Sequence, residues 1–201
     1  MEAMGLPHLM DIYKKALQSV EFAGPTYFHP ILEEAIKIST VARNQGSNSY
    51  QVLLILTDGE IHDMDQTVEL LVNNANLPLS LIIVGVGQAN FANMERLDGD
   101  SGLYNARGQK SPRDIVQFVP FRDVKMNPEL LTKELLAELP GQVVQYMNLI
   151  GKPPGKPNVL DVEQMLPKNN GPQGGQIADM LGKVHIYTSE ENNNNNVNPY
   201  G

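Results

Sequence analysis

The sequence has no cysteine and few basic residues. With no cysteine among 201 residues, disulfides, thiolate zinc sites and cysteine nucleophiles are excluded, and the composition fits a reducing compartment. Acidic side chains outnumber basic ones by 23 to 15, which gives a formal charge of -8. A chain of this charge has no stripe of basic residues that could neutralise a phosphate backbone, so we expect no nucleic-acid partner.

Long hydrophobic runs are also missing. The longest apolar stretches, Val52–Leu56 and Leu79–Val86, have eight residues or fewer, whereas a helix that spans a bilayer needs about 20. Met1–Met10 has neither the basic n-region nor the apolar h-region of a signal peptide. We therefore expect a cytoplasmic protein that does not itself span a membrane.

Hydrophobic periodicity divides the first three quarters of the chain into helices and buried strands. Two amphipathic helices are predicted, at Leu9–Val20 and at about Pro30–Arg43. Continuous apolar runs predict buried strands at Tyr50–Leu56 and Leu79–Val86, and a third strand is predicted at Ile115–Val119. The first of these strands is predicted to lie in the centre of the sheet, with helices covering both of its faces.

Helices are predicted between and after these strands. A capping signal at Asp63, with Gln66 three residues later, begins a helix after the first strand. A short helix is predicted at Phe91–Leu97, and a last helical stretch covers Pro128–Ile150 with a break at Pro140. Alternating strands and helices indicate an α/β fold with a doubly wound, mostly parallel sheet.

The composition changes after Gly151 to proline, glycine, asparagine and glutamine, and five consecutive asparagines occupy 192–196. So little apolar area remains that it cannot offset the entropy of ordering the chain. We therefore predict a domain over 1–152 and a disordered, low-complexity tail over 153–201. Within the tail, Ile177–Tyr187 is either a spacer, which composition favours, or a short docking segment.

Asp58 is the strongest functional candidate from the residues alone. It follows the first predicted strand in Leu56-Thr57-Asp58-Gly59, and open α/β sheets bind ligands at the carboxyl ends of their strands. The alternative is an ordinary turn or helix-capping aspartate before glycine. Because no nucleophile elbow, phosphate-binding loop or acid–base carboxylate pair is found in the sequence, we do not expect an enzyme.

Five blocks of sequence resemble the copine A domain. In chain order they are Gly24-Pro25-Thr26; Leu53-Leu54-Ile55-Leu56-Thr57-Asp58-Gly59; Asp63-Met64-Asp65-Gln66-Thr67; Leu77-Pro78-Leu79-Ser80-Leu81-Ile82-Ile83-Val84-Gly85-Val86-Gly87; and Arg113-Asp114-Ile115-Val116-Gln117-Phe118-Val119-Pro120-Phe121-Arg122-Asp123. The likeness covers roughly Gly5–Lys152, and its last two blocks are distinctive of copines. It implies a von Willebrand factor A-like, Rossmann-type fold.

The resemblance also implies a metal-ion-dependent adhesion site on three loops above the sheet. By motif match, Thr26 is the threonine of the second loop and Asp58 the aspartate of the third, each binding a divalent ion (Mg, Mn or Ca) directly or through water. The first loop, Asp-x-Ser-x-Ser, is not found, and the family pattern places it ahead of Met1 with the first half of the sheet. We therefore expect the ion to bind weakly.

The function implied is that of a non-enzymatic protein-interaction domain. Copines bind phospholipid in a calcium-dependent way and are recruited to membranes as signalling proteins, so we expect protein partners at the top of the sheet. The paired C2 domains of the family are not found in these residues, so membrane contact of this chain is expected to be indirect. Two alternatives remain: the substrate-recruiting domain of a copine-like ubiquitin ligase, against which the missing cysteine-rich RING counts, and a fragment without independent function.

Overall fold

The computed structural model describes residues 3–21, 23–99, 102–124 and 127–152, with two further short strands at 157–159 and 185–187. The elements in chain order are α1 (Gly5–Ser19), α2 (His29–Asn44), β1 (Gln51–Thr57), α3 (Met64–Asn74), β2 (Leu79–Gly85), α4 (Ala92–Asp98), β3 (Val116–Pro120), α5 (Phe121–Val124), α6 (Pro128–Leu135), α7 (Leu139–Leu149), β4 (Pro157–Val159) and β5 (His185–Tyr187). None of the described helices has the length and hydropathy needed to cross a bilayer.

Three parallel strands form the main sheet in the order β1-β2-β3. The register sets Leu54 beside Ile82, and Ile83 beside Phe118. Every residue of β2 is buried, as expected for a strand with neighbours on both edges and helices on both faces. The predicted α/β class with a parallel sheet is confirmed, and β2 is its central strand.

The hydrophobic core lies on the face of the sheet that α2, α3 and α4 cover. Leu81 and Ile83 of β2 belong to one buried cluster with Leu32 of α2, Leu71 of α3 and Met94 of α4, and none of the five is more than 1% exposed. Burial of a side chain of this size stabilises the fold by about 1.5–3 kcal/mol. This core holds β2 and the three helices in fixed positions.

The opposite face of β2 is covered by the C-terminal helices. The Ser80 hydroxyl donates to the Gln142 side-chain oxygen of α7 at 2.5 Å. The buried guanidinium of Arg113 donates to the carbonyl oxygens of Leu77 and Gln142 and to the Tyr50 hydroxyl. Because buried polar groups need such partners, this network fixes α7 against the start of β2.

In the described chain β1 has β2 as its only neighbour and lies at the edge of the sheet, whereas the sequence predicted a central strand. On its inner face, Leu53 and Ile55 pack against the core. On its outer face, Val52, Leu54 and Leu56 are 45%, 56% and 67% exposed. A continuous apolar run is typical of a strand covered on both faces, but the described helices cover only one face of β1.

The predicted helices and strands agree with the observed bounds to within a few residues. The largest difference is in the stretch predicted as one broken helix over 128–150, which forms the two helices α6 and α7. Pro140 lies in the first turn of α7, where a missing N–H removes no helical hydrogen bond. The single turn α5 was not predicted, because four residues are too few to show a helical period.

Two three-residue strands lie in the segment predicted to be a disordered tail. β4 pairs with β5 in an antiparallel ribbon, within the segment that the sequence predicts to be a disordered tail. Val159, Ile186 and Tyr187 are residue types that favour strands, and β5 falls at the end of the Ile177–Tyr187 segment. The rest of the predicted tail lies outside the described residues, and the domain boundary at residue 152 stays a prediction.

Candidate functional site

Thr26 and Asp58 lie on two loops that are joined to each other. The 24–28 loop precedes α2, and the 58–63 loop follows β1. The Thr26 N–H donates to Nδ1 of His62 at 3.1 Å, and the His62 N–H donates to the Thr26 carbonyl at 2.9 Å. Because His62 is only four residues after Asp58, this reciprocal pair holds the loops of both predicted site residues together.

Asp63 provides a second link between the loops. It occupies the N-cap position of α3, as predicted, but its carboxylate accepts from the N–H groups of Phe28 and His29 at 3.0 and 2.7 Å. The Thr67 hydroxyl also donates to it at 3.4 Å. The side chain is buried and satisfies the free N–H groups at the start of α2, where a negative charge also meets the helix dipole. Asp63 is therefore a structural residue that joins α2 to α3.

Asp58 is exposed at the carboxyl end of β1. One of its carboxylate oxygens accepts from the Glu60 N–H at 3.3 Å. Next to it, the Thr57 hydroxyl oxygen accepts from the Gly59 N–H at 3.1 Å. Both contacts are local turn contacts of the kind that Asp and Thr side chains favour. They fix the shape of the turn and leave the carboxylate on the surface.

The glycine after Asp58 has a specific steric role. Gly59 has a φ of +104°, and a Cβ there would lie 2.6 Å from the ring of Phe91. A Cβ on Gly85, at the end of β2, would lie 2.8 Å from the same ring. The Phe91 ring therefore packs on the backbone at the carboxyl ends of two adjacent strands, which only glycine permits.

Phe91 and His62 shape the site, and neither was identified as a site residue from the sequence. For Phe91 a signal was available, since glycines at the ends of two neighbouring strands indicate that something approaches the backbone closely. For His62, no signal was available. Its partner Thr26 is 36 residues away, beyond the range of any local pattern.

Asp58 and Thr26 carry oxygen donors of the kind that hard cations prefer. The Asp58 carboxylate and the Thr26 hydroxyl are the hard ligands that Mg²⁺ and Ca²⁺ prefer, but the Asp63 carboxylate is already occupied. Within the described ranges, no three His, Cys, Asp or Glu side chains are grouped so that they could hold a metal ion. Thr26 and Asp58 therefore fit a cation in ligand type.

A cleft of about 520 Å³ opens beside the two loops. Its walls are the first turns of α2 and α3, and the residues that line it include Tyr27, His29, His62 and Asp65. The Tyr27 side chain is 54% exposed. Tyrosine is one of the residue types that are enriched at protein–protein interfaces.

Comparison with known proteins places this chain in a family. A family model described as Copine matches residues 1–155. The chain belongs to the copine family. Copine-C of Dictyostelium discoideum is 44% identical over 166 residues, which are 82% of this chain and 31% of Copine-C. Protein BONZAI 1 of Arabidopsis thaliana is 45% identical over 158 residues, which are 78% of this chain and 27% of that protein.

The copine match confirms the family indicated by the five sequence blocks. It includes the 24–28 and 58–63 loops, so both predicted site residues lie in the shared region. The chain spans less than a third of the length of these two relatives.

Proposed function

We propose that this chain is a protein-interaction domain, without catalytic activity, of a copine-like signalling protein that binds phospholipid in a calcium-dependent way. The observation that carries the proposal is the linkage of the 24–28 and 58–63 loops through His62 and Asp63. Because the two loops are linked, the exposed Asp58 carboxylate and the cleft both lie at the carboxyl end of β1. Ligands of open α/β sheets bind at this end.

The side chains around the cleft favour binding over catalysis. Nδ1 of His62 accepts the Thr26 N–H, and the Asp63 carboxylate accepts from two backbone N–H groups. Nδ1 of His62 and the Asp63 carboxylate are therefore already occupied by structural contacts. We therefore propose a binding surface and no reaction.

We propose that Thr26 and Asp58 bind a divalent ion (Mg, Mn or Ca) weakly at this surface. A hard cation takes about six oxygen ligands, and these two residues provide two, or three if the Asp58 carboxylate binds through both oxygens. The remaining positions are left for water or for a partner protein. Thr26 and Asp58 would hold the ion at the top of the sheet, beside the cleft. The bound ion would supply a positive charge at this surface of an otherwise acidic molecule.

Membrane contact of the chain itself is proposed to be indirect. Anionic headgroups attract clustered Lys and Arg by about 1 kcal/mol each near the surface, and a chain with a net charge of -8 lacks this attraction. Recruitment from the cytoplasm to the plasma membrane would then depend on other parts of a copine-type protein.

The test is affinity capture with the full chain from a cell lysate in Mg²⁺, followed by mass spectrometry. Asp58→Ala is the test variant, and Glu60→Ala is its control, because both are exposed and each removes one negative charge from the same loop. We expect the wild type and Glu60→Ala to retain a common set of proteins. Asp58→Ala, or chelation of Mg²⁺, should reduce their recovery at least tenfold.

Equal recovery by Asp58→Ala and the wild type would contradict the proposal that partners bind at this surface. Equal loss with both variants would show that net charge, and not Asp58, controls capture.

A further inference from the structure

The outer edge of β3, which is the edge away from β2, is closed by side chains. The Val116 N–H donates to the Asp114 carboxylate at 3.0 Å. The Phe118 N–H donates to the Asp98 carboxylate at 2.7 Å. Pro120, at the end of the strand, has no N–H to offer, and an edge whose amides are taken up in this way is blocked to another strand. The surface at the carboxyl end of β3 therefore does not depend on a further strand on this side of the sheet.

Arg122 carries a positive charge at the carboxyl end of β3. It lies in the single turn α5, directly after the strand, and its side chain is 32% exposed. Because β2 lies between β3 and β1, the edge of β1 is two strand spacings, or about 10 Å, away. The contacts of Arg122 are made within its own turn and with the loop after β2, and not at the edge of β1.

The guanidinium of Arg122 is stacked on the ring of Phe91. Its Cζ lies 4.9 Å from the ring centroid, within the range of about 6 Å that cation–π contacts have. The ring is 1% exposed and is held in place against the backbone of Gly59 and Gly85. Nη1 of Arg122 also donates to the Ala89 carbonyl at 3.0 Å. The ring and the carbonyl together fix the plane of the guanidinium.

One edge of this guanidinium is not used within the described part of the chain. There, neither Nε nor Nη2 of Arg122 has a hydrogen-bond acceptor. A carboxylate oxygen of Asp123 lies 3.8 Å from Nε, which is longer than a hydrogen bond. Exposed ion pairs of this kind add little stability, so a better-placed carboxylate can replace this one. Nε and Nη2 form the fork that binds the two oxygens of a carboxylate or a phosphate.

The charges near Arg122 favour a ligand with a single negative charge. Asp58, Glu60 and Asp123 are exposed and lie on the turns after β1 and β3, at the same end of the parallel sheet. They repel a phosphate group, with a charge of about -1.5 to -2 at neutral pH, more strongly than a carboxylate. A Glu or Asp side chain of a protein therefore fits this position better than a phosphate does.

We propose that Arg122, stacked on Phe91, binds a carboxylate side chain in an acidic segment of a protein partner. Nε and Nη2 donate two parallel hydrogen bonds to the two carboxylate oxygens, and Phe91 and Ala89 hold the donors in that geometry. A donor that is held in advance loses less entropy when the ligand binds. The inference rests on the proposed binding surface at the carboxyl ends of the strands, and adds one contact residue and the chemistry that it recognises.

NMR of the isotope-labelled chain tests the proposal, with EDTA present so that no divalent ion takes part. The probe is the peptide acetyl-Gly-Glu-Gly-amide, and the same peptide with Gln in place of Glu is the control at equal ionic strength. We expect the Glu peptide to shift the Arg122 Nε–H signal and the amide signals of the 86–91 loop. The Gln peptide has nearly the same shape and no charge, so it should shift neither.

Four variants show which residue is responsible. Arg122→Gln removes the guanidinium, and Arg96→Gln makes the same change at an exposed residue of α4. The shifts in the 86–91 loop should be lost in the first and kept in the second. Arg122→Lys keeps the charge without the fork, so its dissociation constant should be at least about threefold higher. Asp58→Ala removes the proposed ion ligand and should keep the shifts, which separates this inference from the ion site.

Several results would overturn the proposal. An unchanged Arg122 Nε–H signal in the wild type would show that Arg122 only holds the 86–91 loop, and this measurement needs no variant that has to fold. Equal shifts with the Glu and Gln peptides, or equal loss in Arg122→Gln and Arg96→Gln, would indicate unspecific contact or net charge. A larger shift of the Nε–H signal with inorganic phosphate than with the Glu peptide would identify a phosphate ligand in place of a carboxylate.

Discussion

At the scale of single residues, the site could be predicted only in part from the sequence. Asp58 is identified by its place after an apolar strand, and Thr26 by the family resemblance, since nothing in its local sequence marks it. The contacts that hold their loops, from His62 to Thr26 and from Asp63 to Phe28, join residues 35 or 36 positions apart. Hydrogen bonds of this range follow from the tertiary fold, so no local motif reports them.

The close contact between Gly59 and Phe91 gives a prediction for stability. Gly59→Ala would add a Cβ 2.6 Å from the Phe91 ring at a φ of +104°. Gly87→Ala is the matched control, since its φ is +102° and no atom lies within 4 Å of its added Cβ. Backbone strain alone costs about 1–3 kcal/mol. We expect Gly59→Ala to lower the free energy of unfolding by at least about 1 kcal/mol more than the control does, measured by urea denaturation.

Equal losses for the two glycine variants would show that the Phe91 ring moves aside without cost. The close packing at the carboxyl ends of β1 and β2 would then not be what fixes the turn after Asp58.

At the scale of helices and strands, periodicity predicted the elements well and their neighbours less well. An apolar run predicts a strand that is buried on both faces. In the described chain β2 is buried in this way, and β1 is not. The difference depends on what lies beside each strand in the sheet. The composition of Gln51–Thr57 carries no information about those neighbours. For the same reason, the pairing of β4 with β5, far apart in sequence, had no local signal.

The link between α2 and α3 gives a prediction at this scale. Asp63→Ala would leave the buried Phe28 N–H and its neighbour, the His29 N–H, without an acceptor. Each such group costs about 1–3 kcal/mol when it is buried, and the His29 N–H is only partly buried, so we expect the free energy of unfolding to fall by about 2–4 kcal/mol. Asp65→Ala, an exposed change in the first turn of α3, should cost less than about 1 kcal/mol. Amide hydrogen exchange would locate the effect, with faster exchange expected in the 24–28 loop.

Equal free energies of unfolding for the Asp63→Ala and Asp65→Ala variants would contradict the account of Asp63 as the residue that joins the two helices. Unchanged exchange in the 24–28 loop would show that the two His62 hydrogen bonds are sufficient to hold Thr26.

At the scale of the whole molecule, charge predicts behaviour at a membrane. The chain has a net charge of -8. In the 58–65 segment, the Asp63 carboxylate is occupied by its hydrogen bonds with the start of α2. We expect no calcium-dependent pelleting of the chain alone with phosphatidylserine vesicles in a co-sedimentation assay. Neutral phosphatidylcholine vesicles are the control. Calcium-dependent pelleting with phosphatidylserine only would give these residues a lipid site of their own.

The central claim is that the linked 24–28 and 58–63 loops form one surface that binds a divalent ion weakly through Thr26 and Asp58. Its most direct test is titration of the isotope-labelled chain with Mg²⁺, followed by amide NMR shifts. We predict shifts centred on these two loops, a dissociation constant of about 1 mM or weaker, and their loss in Asp58→Ala but not in Glu60→Ala. Shifts centred elsewhere, or micromolar affinity abolished by Asp58→Ala, would contradict the claim.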